Sequence, residues 1–474
     1  MYAFDNRYKL LNRLYILGLA QLLFFILYFY LILTGKEIFA YLLPLFFINL
    51  CLYPMLISYP QRMLIFFLIM LPFSAIGLFP TFYREIFLYF ISIFGIFFLY
   101  ITQFINKNKK FQISTYPISR QIVLLIAALV ISFIHAVLRG WFSFHLLRHS
   151  YLMIESIVLL LLLMNLFQAK KDLLKASWII FLACIIANLI FLSIAFMHGL
   201  VVIFVRRAFL PFASYSLNEN AIFLGPFIVL GTSFLWLKDF QKKKTIIFLG
   251  IFVLVSALVI TQSRGSWFAV LGGILYLFFK KRFYKGIVAL TIFIAIFFTF
   301  QLSRGILTSR LEQIGSGDLA LLARFSLWKA AIQIIKENWL FGVGANNFIL
   351  IKYQFGVPFW LDPVKSFNTH NIYLEILVNL GVLGFIGFFG LIWKTLVKLT
   401  KVIKYTRDNE LAVLSLGLKG ALLTFLIHGL IDCGLFLNVI YFSLMILLGF
   451  SWAIININDS LYKVTNKDSK AVIE

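Results

Sequence analysis

KKKTIIFLGIFVLVSALVITQSRGSWFAVLGGILYLFFKKR, residues 242–282, decides the fold class. Two apolar runs, 245–262 and 266–280, flank one short polar turn. Lys242, Lys243 and Lys244 precede the first run, and Lys280, Lys281 and Arg282 close the second. An apolar run of about 17–25 residues is what a helix needs to cross a bilayer. The segment therefore reads as a membrane hairpin, with its basic ends on one side and Arg264 on the other.

The rest of the chain repeats this pattern. The sequence is 62% hydrophobic and only 13% charged over 474 residues. Further candidate spans fall at 14–33, 38–58, 63–79, 86–104, 121–138, 151–168, 177–197, 221–237, 286–302, 378–397, 411–430 and 436–456. Several are short, so the expected fold is an all-α polytopic membrane protein of about 12–14 transmembrane helices. The run at 14–33 is too long for a signal-peptide core and is read as a retained span. The whole chain, 1–474, reads as a single integral membrane domain.

The net charge of +24 is explained by placement. Alternating the spans gathers most of the 42 lysines and arginines into one set of short loops, which also holds both termini. Lys and Arg in short loops stay cytoplasmic. Both termini are thus expected inside, in contact with membrane lipids, and no nucleic-acid partner is expected. The opposite set is enriched in arginine: Arg84, Arg139, Arg148, Arg206, Arg207, Arg264, Arg304, Arg310 and Arg324. Arginine suits planar, bidentate recognition of phosphate. Cys51, Cys184 and Cys433 lack metal-ligand spacing, and His145 and His149 have no carboxylate beside them. Neither a metal nor any other cofactor is expected.

One stretch, 303–370, is too polar and too long for a simple connection. It is expected outside the cytoplasm as a loop or lid containing amphipathic helix. Leu321, Leu322, Phe325, Ala331, Ile332 and Ile335 recur near helical spacing over 318–337 and predict the apolar face of a surface helix. Arg324 and Trp328 lie one turn apart on it. Gly342-Val343-Gly344-Ala345-Asn346-Asn347-Phe348 reads as a flexible turn. Thr369-His370-Asn371 ends the loop, with Asn368 or Thr369 as the cap of the next helix. Gly381, Gly384 and Gly387 leave that helix one small face for a close neighbour. His428 and Asp432, one turn apart near the outer end of their span, are read as supporting the same outer site or pairing structurally.

Three elements fall on one expected face. They are Ser263-Arg264-Gly265-Ser266-Trp267, the Arg324…Trp328 helix, and His370-Asn371 followed after nine residues by Gly381-Val382-Leu383-Gly384. In this combination residues 206–390 resemble the core of the O-antigen ligase and O-antigen polymerase family. Arg206-Arg207-Ala208-Phe209-Leu210, and the Asn218 and Asn220 entry to the following span, extend the likeness. Phe268 stands where the ligases carry a leucine.

The resemblance implies a bacterial inner-membrane enzyme with a periplasmic active site. Its donor is a glycan linked to undecaprenyl diphosphate, and its acceptor is lipid A–core or another carrier-linked glycan. His370 is then the catalytic base, and Arg264 and Arg324 bind diphosphate. Arg206, Arg207, Asn371 and Trp328 are further candidates for substrate contact. A single displacement implies inversion at the anomeric carbon, without a metal. The histidine motif leans towards a ligase and leaves a polymerase open. A transporter or flippase fits less well. Glu155, His135 and Lys419 are the titratable groups read within spans, and they do not recur in two halves.

Overall fold

The computed structural model describes residues 60–75, 118–197, 217–288, 319–358, 368–435 and 437–471. The expected spans at 14–33, 38–58 and 86–104, most of 286–302, and Arg206 and Arg207 lie outside these residues. The described residues form helices joined by short turns, and no strand occurs among them.

In chain order the helices are α1 (Pro60–Ala75), α2 (Ser119–Leu138), α3 (Phe144–Leu166), α4 (Lys170–Met197), α5 (Leu217–Ser233), α6 (Lys244–Ile260), α7 (Arg264–Lys280), α8 (Leu319–Asn338), α9 (Ile372–Tyr405), α10 (Asn409–His428) and α11 (Asn438–Ala471). Eight of the described helical stretches are long and apolar enough to cross a membrane. The chain is an all-α polytopic membrane protein. Val130, Ile134, Phe248, Phe252, Ile386 and Trp393 are exposed on helix sides, where a bilayer requires apolar surface.

The stretch Val439–Leu461 of α11 is almost wholly enclosed by its neighbours. Inside the bundle, the buried Trp452 indole N–H donates to Thr395 Oγ1 at 2.9 Å, tying α11 to α9. This satisfies a polar group that would be costly to bury alone. Helices α5, α7 and α10 meet where Gly225 and Gly273 face Thr424. Small residues there let the backbones approach, as membrane helices require.

The turns sort into two ends. Lys170 Nζ reaches Asp408 Oδ2 at 2.7 Å and Glu410 Oε2 at 3.2 Å. Asp239 N–H donates to Glu410 Oε1 at 3.1 Å. The lysine-bearing turns before α4, before α6 and between α9 and α10 thus gather at one end. The turns carrying Arg264, His370 and Asp432 gather at the other.

Helix α9 is two helices joined at Gly381, whose φ of 65° and ψ of −171° are not helical. The break frees backbone groups, and the stretch after α8 takes them up. Val343 N–H donates to Val378 O at 3.0 Å, and Gly344 N–H to Asn379 O at 2.9 Å. In return Val382 N–H donates to Trp339 O at 2.8 Å. Residues 342–348 are buried, so the expected flexible turn is instead a packed strap. Gly381 serves this break rather than a smooth small face. Gly387 does meet the expected close neighbour, the backbone of Leu125 in α2.

The surface helix expected at 318–337 is α8, but its buried face differs. Leu327, Ala330, Ala331 and Ile334 enter a core with Val343, Phe348, Ile351, Val357 and Val378. Leu322, Phe325 and Ile332 are exposed. Apolar character alone does not pick the inward face where both sides of a helix can be apolar.

Candidate active site

The site grows from the start of α9. Asn371 caps this helix, its side chain accepting from Tyr373 N–H and Leu374 N–H, both at 3.0 Å. Neither Asn368 nor Thr369 is the cap. Asn368 Oδ1 accepts from His370 N–H at 2.8 Å, and Thr369 N–H donates to Glu375 Oε2 at 2.7 Å. These bonds hold His370 at a φ of 52°, a conformation that non-glycine residues rarely adopt. Ile372 N–H donates to Gly429 O at 2.8 Å and Asn371 Nδ2 to Leu430 O at 3.1 Å, fastening the turn to the end of α10. Both ends of the Asn371 amide are therefore engaged with backbone, which makes it a positioning group.

His370 Nδ1 lies 2.7 Å from Asp432 Oδ1. The His370 side chain is 25% exposed and that of Asp432 only 9%, so the ring is reachable and its partner is not. Burial works to raise the Asp432 carboxyl. The hydrogen bond from His370 and the charges of His370, His428 and Arg324 outweigh burial and bring it down to about 2. Asp432 is thus an anion at neutral pH. With Nδ1–H donating to it, the ring's lone pair lies on Nε2, the tautomer a general base needs. In the sequence Asp432 reads as supporting the outer site or pairing structurally with His428, and the structure gives it His370 as its partner.

Arg324 stands on α8, half-buried, and its charge acts on both Asp432 and His428. Four residues on, the Trp328 indole N–H donates to Thr369 O at 2.9 Å. Trp328 therefore fixes α8 to the residue before His370, and its polar atom is engaged there. Arg264 opens α7 and is exposed. Its turn is clasped by Trp267 Nε1, which donates to Leu258 O at 3.1 Å, and by a Ser263–Ser266 hydroxyl contact at 3.1 Å. A Cβ added to Gly265 would lie 3.6 Å from His428 Nε2, so this turn packs against the end of α10. The structure thus brings Arg264, Arg324, Trp328, His370 and Asn371 to one end of the bundle.

Beneath the site lies a pair that the sequence reading missed. Glu375 is fully buried, and its second oxygen accepts from Asn379 Nδ2 at 2.9 Å. Asn379 Oδ1 in turn accepts from Phe348 N–H at 3.3 Å, linking the His370 turn to the strap. The signal available was an acidic residue in the first turn of a helix, where the dipole favours it.

His145 and His149 do stack one turn apart on α3, with ring centroids 6.4 Å apart. Among the described residues no three His, Cys, Asp or Glu side chains converge as a metal site would require.

Residues 249–389 match the model of the O-antigen ligase family. Over these residues, less than a third of its length, the chain is similar to the O-antigen ligase family. It is also similar to an uncharacterized protein of Haemophilus influenzae, 26% identical over 187 residues. That match covers 36% of this chain and 47% of the relative, about half its length.

Proposed function

We propose that this protein transfers a glycan from undecaprenyl diphosphate to lipid A–core, as an O-antigen ligase, on the periplasmic face of a bacterial inner membrane. The observation that carries the reading is the His370–Asp432 contact of 2.7 Å at the end of the bundle that also bears Arg264 and Arg324. Outside the cytoplasm no sugar nucleotide is at hand, so the donor must arrive already activated. A lipid-linked diphosphate is such a donor.

His370 Nε2 takes the proton of the acceptor hydroxyl, and the oxygen attacks the anomeric carbon. The bond from that carbon to the diphosphate oxygen breaks, and undecaprenyl diphosphate departs with the electron pair. Arg264 and Arg324 stabilise the charge growing on the leaving group. Asp432 holds the imidazole in the accepting tautomer and stabilises the imidazolium that forms, as an aspartate does in a serine–histidine–aspartate triad. One displacement without a protein nucleophile inverts the anomeric centre.

The orientation is supported by the lysines. Lys170, Lys238, Lys242–Lys244, Lys280, Lys281, Lys394–Lys404 and Arg407 belong to the end of the bundle opposite His370, and basic loops stay cytoplasmic. Both termini are then cytoplasmic.

Lipopolysaccharide from a deletion strain tests the reading. A ligase leaves core without O-antigen, while long carrier-linked chains accumulate. A single repeat left on core makes the protein a polymerase that joins carrier-linked units with the same base and clamp. Unchanged lipopolysaccharide rejects both.

A further inference from the structure

Lys419 is a cation set inside a span, and the site around His370 makes no use of it. Its helix, α10, starts at Asn409, so its backbone lies about 15 Å from the helix start. A lysine at that depth is costly unless its charge is met. Helix α10 enters from the lysine-bearing end of the bundle, and helical side chains lean towards the start of their helix. The Lys419 ammonium therefore reaches back towards that end.

There it makes two contacts. Nζ donates to Thr400 Oγ1 of α9 at 2.6 Å and stands 5.6 Å from the centre of the Tyr276 ring of α7. Neither contact brings a negative charge. Among the described residues the one charge acting on Lys419 is that of Lys280, which repels it. Asp408 and Glu410, at the start of α10, are already paired with Lys170.

The surroundings suit a lipid headgroup. Lys280 follows Tyr276 by one turn at the end of α7, and Lys404 follows Thr400 by one turn at the end of α9; both are exposed. Lys401 is exposed beside Thr400, so this level belongs to the headgroup zone. Deeper along α9, Val397 and Trp393 are exposed and apolar.

We propose that Lys419 and Lys280 bind the headgroup phosphate of an anionic phospholipid, in the leaflet opposite the His370 end. Its acyl chain lies along Val397 and Trp393, which a free anion would leave uncovered. A zwitterionic headgroup fits less well, because it brings an ammonium of its own to a site that holds only cations. Such a lipid bridges α7, which opens at Arg264, and α9, which opens beside His370.

The test is binding of phosphatidylglycerol to the purified, delipidated full-length protein in an uncharged detergent, followed by native mass spectrometry. Phosphatidylcholine and inorganic phosphate are the comparison ligands, and both are expected to bind at least tenfold more weakly. Lys419→Leu should weaken phosphatidylglycerol binding at least tenfold, the size of one charge-assisted hydrogen bond lost. Lys280→Gln should weaken it several-fold, and it carries the test if Lys419→Leu does not fold, because the Lys280 side chain is exposed. Lys242→Gln, at the same end of the bundle on another turn, should bind as the wild type does. Wild-type affinity in Lys419→Leu and Lys280→Gln overturns the site. An equal loss in Lys242→Gln also overturns it, because the lysines then act as a diffuse field. Inorganic phosphate or phosphatidylcholine binding as tightly as phosphatidylglycerol overturns the anionic lipid as its ligand.

Discussion

Replacing Gly381 with alanine strikes the joint on which the site stands. At its φ of 65° and ψ of −171° an alanine backbone is strained, at a cost of about 1–3 kcal/mol. The new Cβ would also stand 2.5 Å from the carbonyl carbon of Leu340 and 2.8 Å from Gly342 N. Both are backbone atoms, so the strap must move. Its three backbone hydrogen bonds to α9, from Val343, Gly344 and Val382, are then lost or stretched. At about 1 kcal/mol net for each, the total loss is about 4 kcal/mol or more. Asn379, which carries one of these bonds, also carries Glu375 and through it Thr369. Activity should therefore fall along with stability. Gly390→Ala is the matched control, since its Cβ would lie 3.5 Å from Gln121 Cγ, an ordinary contact. Thermal unfolding of both variants in detergent, with glycan transfer measured below the transition, makes the comparison. If Gly381→Ala melts with Gly390→Ala and the wild type, the interlock is not what holds the site.

Three further predictions follow from the same geometry. Asp432→Asn keeps the shape but removes the anion that fixes the His370 tautomer, so kcat should drop by about a hundredfold or more while donor KM changes little. A fall in donor affinity alone would assign Asp432 to binding instead. Glu375→Ala strands Thr369 N–H and Asn379 Nδ2 in a buried site, at about 1–3 kcal/mol each. A melting temperature equal to that of the wild type would show that these bonds are replaceable. Acid titration of folding reads Asp432 directly, because its carboxyl is held below its usual 3.8, at about 2. Its stabilising contribution, on the order of 2 kcal/mol, is full above pH 4 and lost as pH falls to 2. Asp432→Asn should remove that acid-sensitive step, and a step that persists in this variant belongs to another group.

Much of this architecture is legible in residue order, because a bilayer imposes simple rules. Apolar length gives the spans, as at 121–138 and 411–430, and the lysines separate the two ends. The Ser263–Trp267 and His370 motifs fall, as expected, at one common end of the bundle. What escapes reading is whatever depends on a distant partner. Asp432 is legible as support for the outer site, but its partner His370, 62 residues away, is not. The strap at 342–348 looks mobile from its glycines, yet those glycines let it approach carbonyls freed at Gly381. Helix α8 carries apolar residues on several sides, so Leu327 and Ile334 could not be told from Phe325 and Ile332 by pattern. Trp328 and Asn371 read as candidates for substrate contact, and their hydrogen bonds to the backbone around His370 are not legible.

Transfer of a defined undecaprenyl-diphosphate glycan to purified lipid A–core by the isolated protein is the decisive assay. The wild type should form the linked product with inverted anomeric configuration. His370→Ala, reconstituted at equal amount and folded, should lose at least a hundredfold in kcat while retaining donor binding. Near-normal transfer by His370→Ala would contradict the account, because the His370–Asp432 pair would then not be the base.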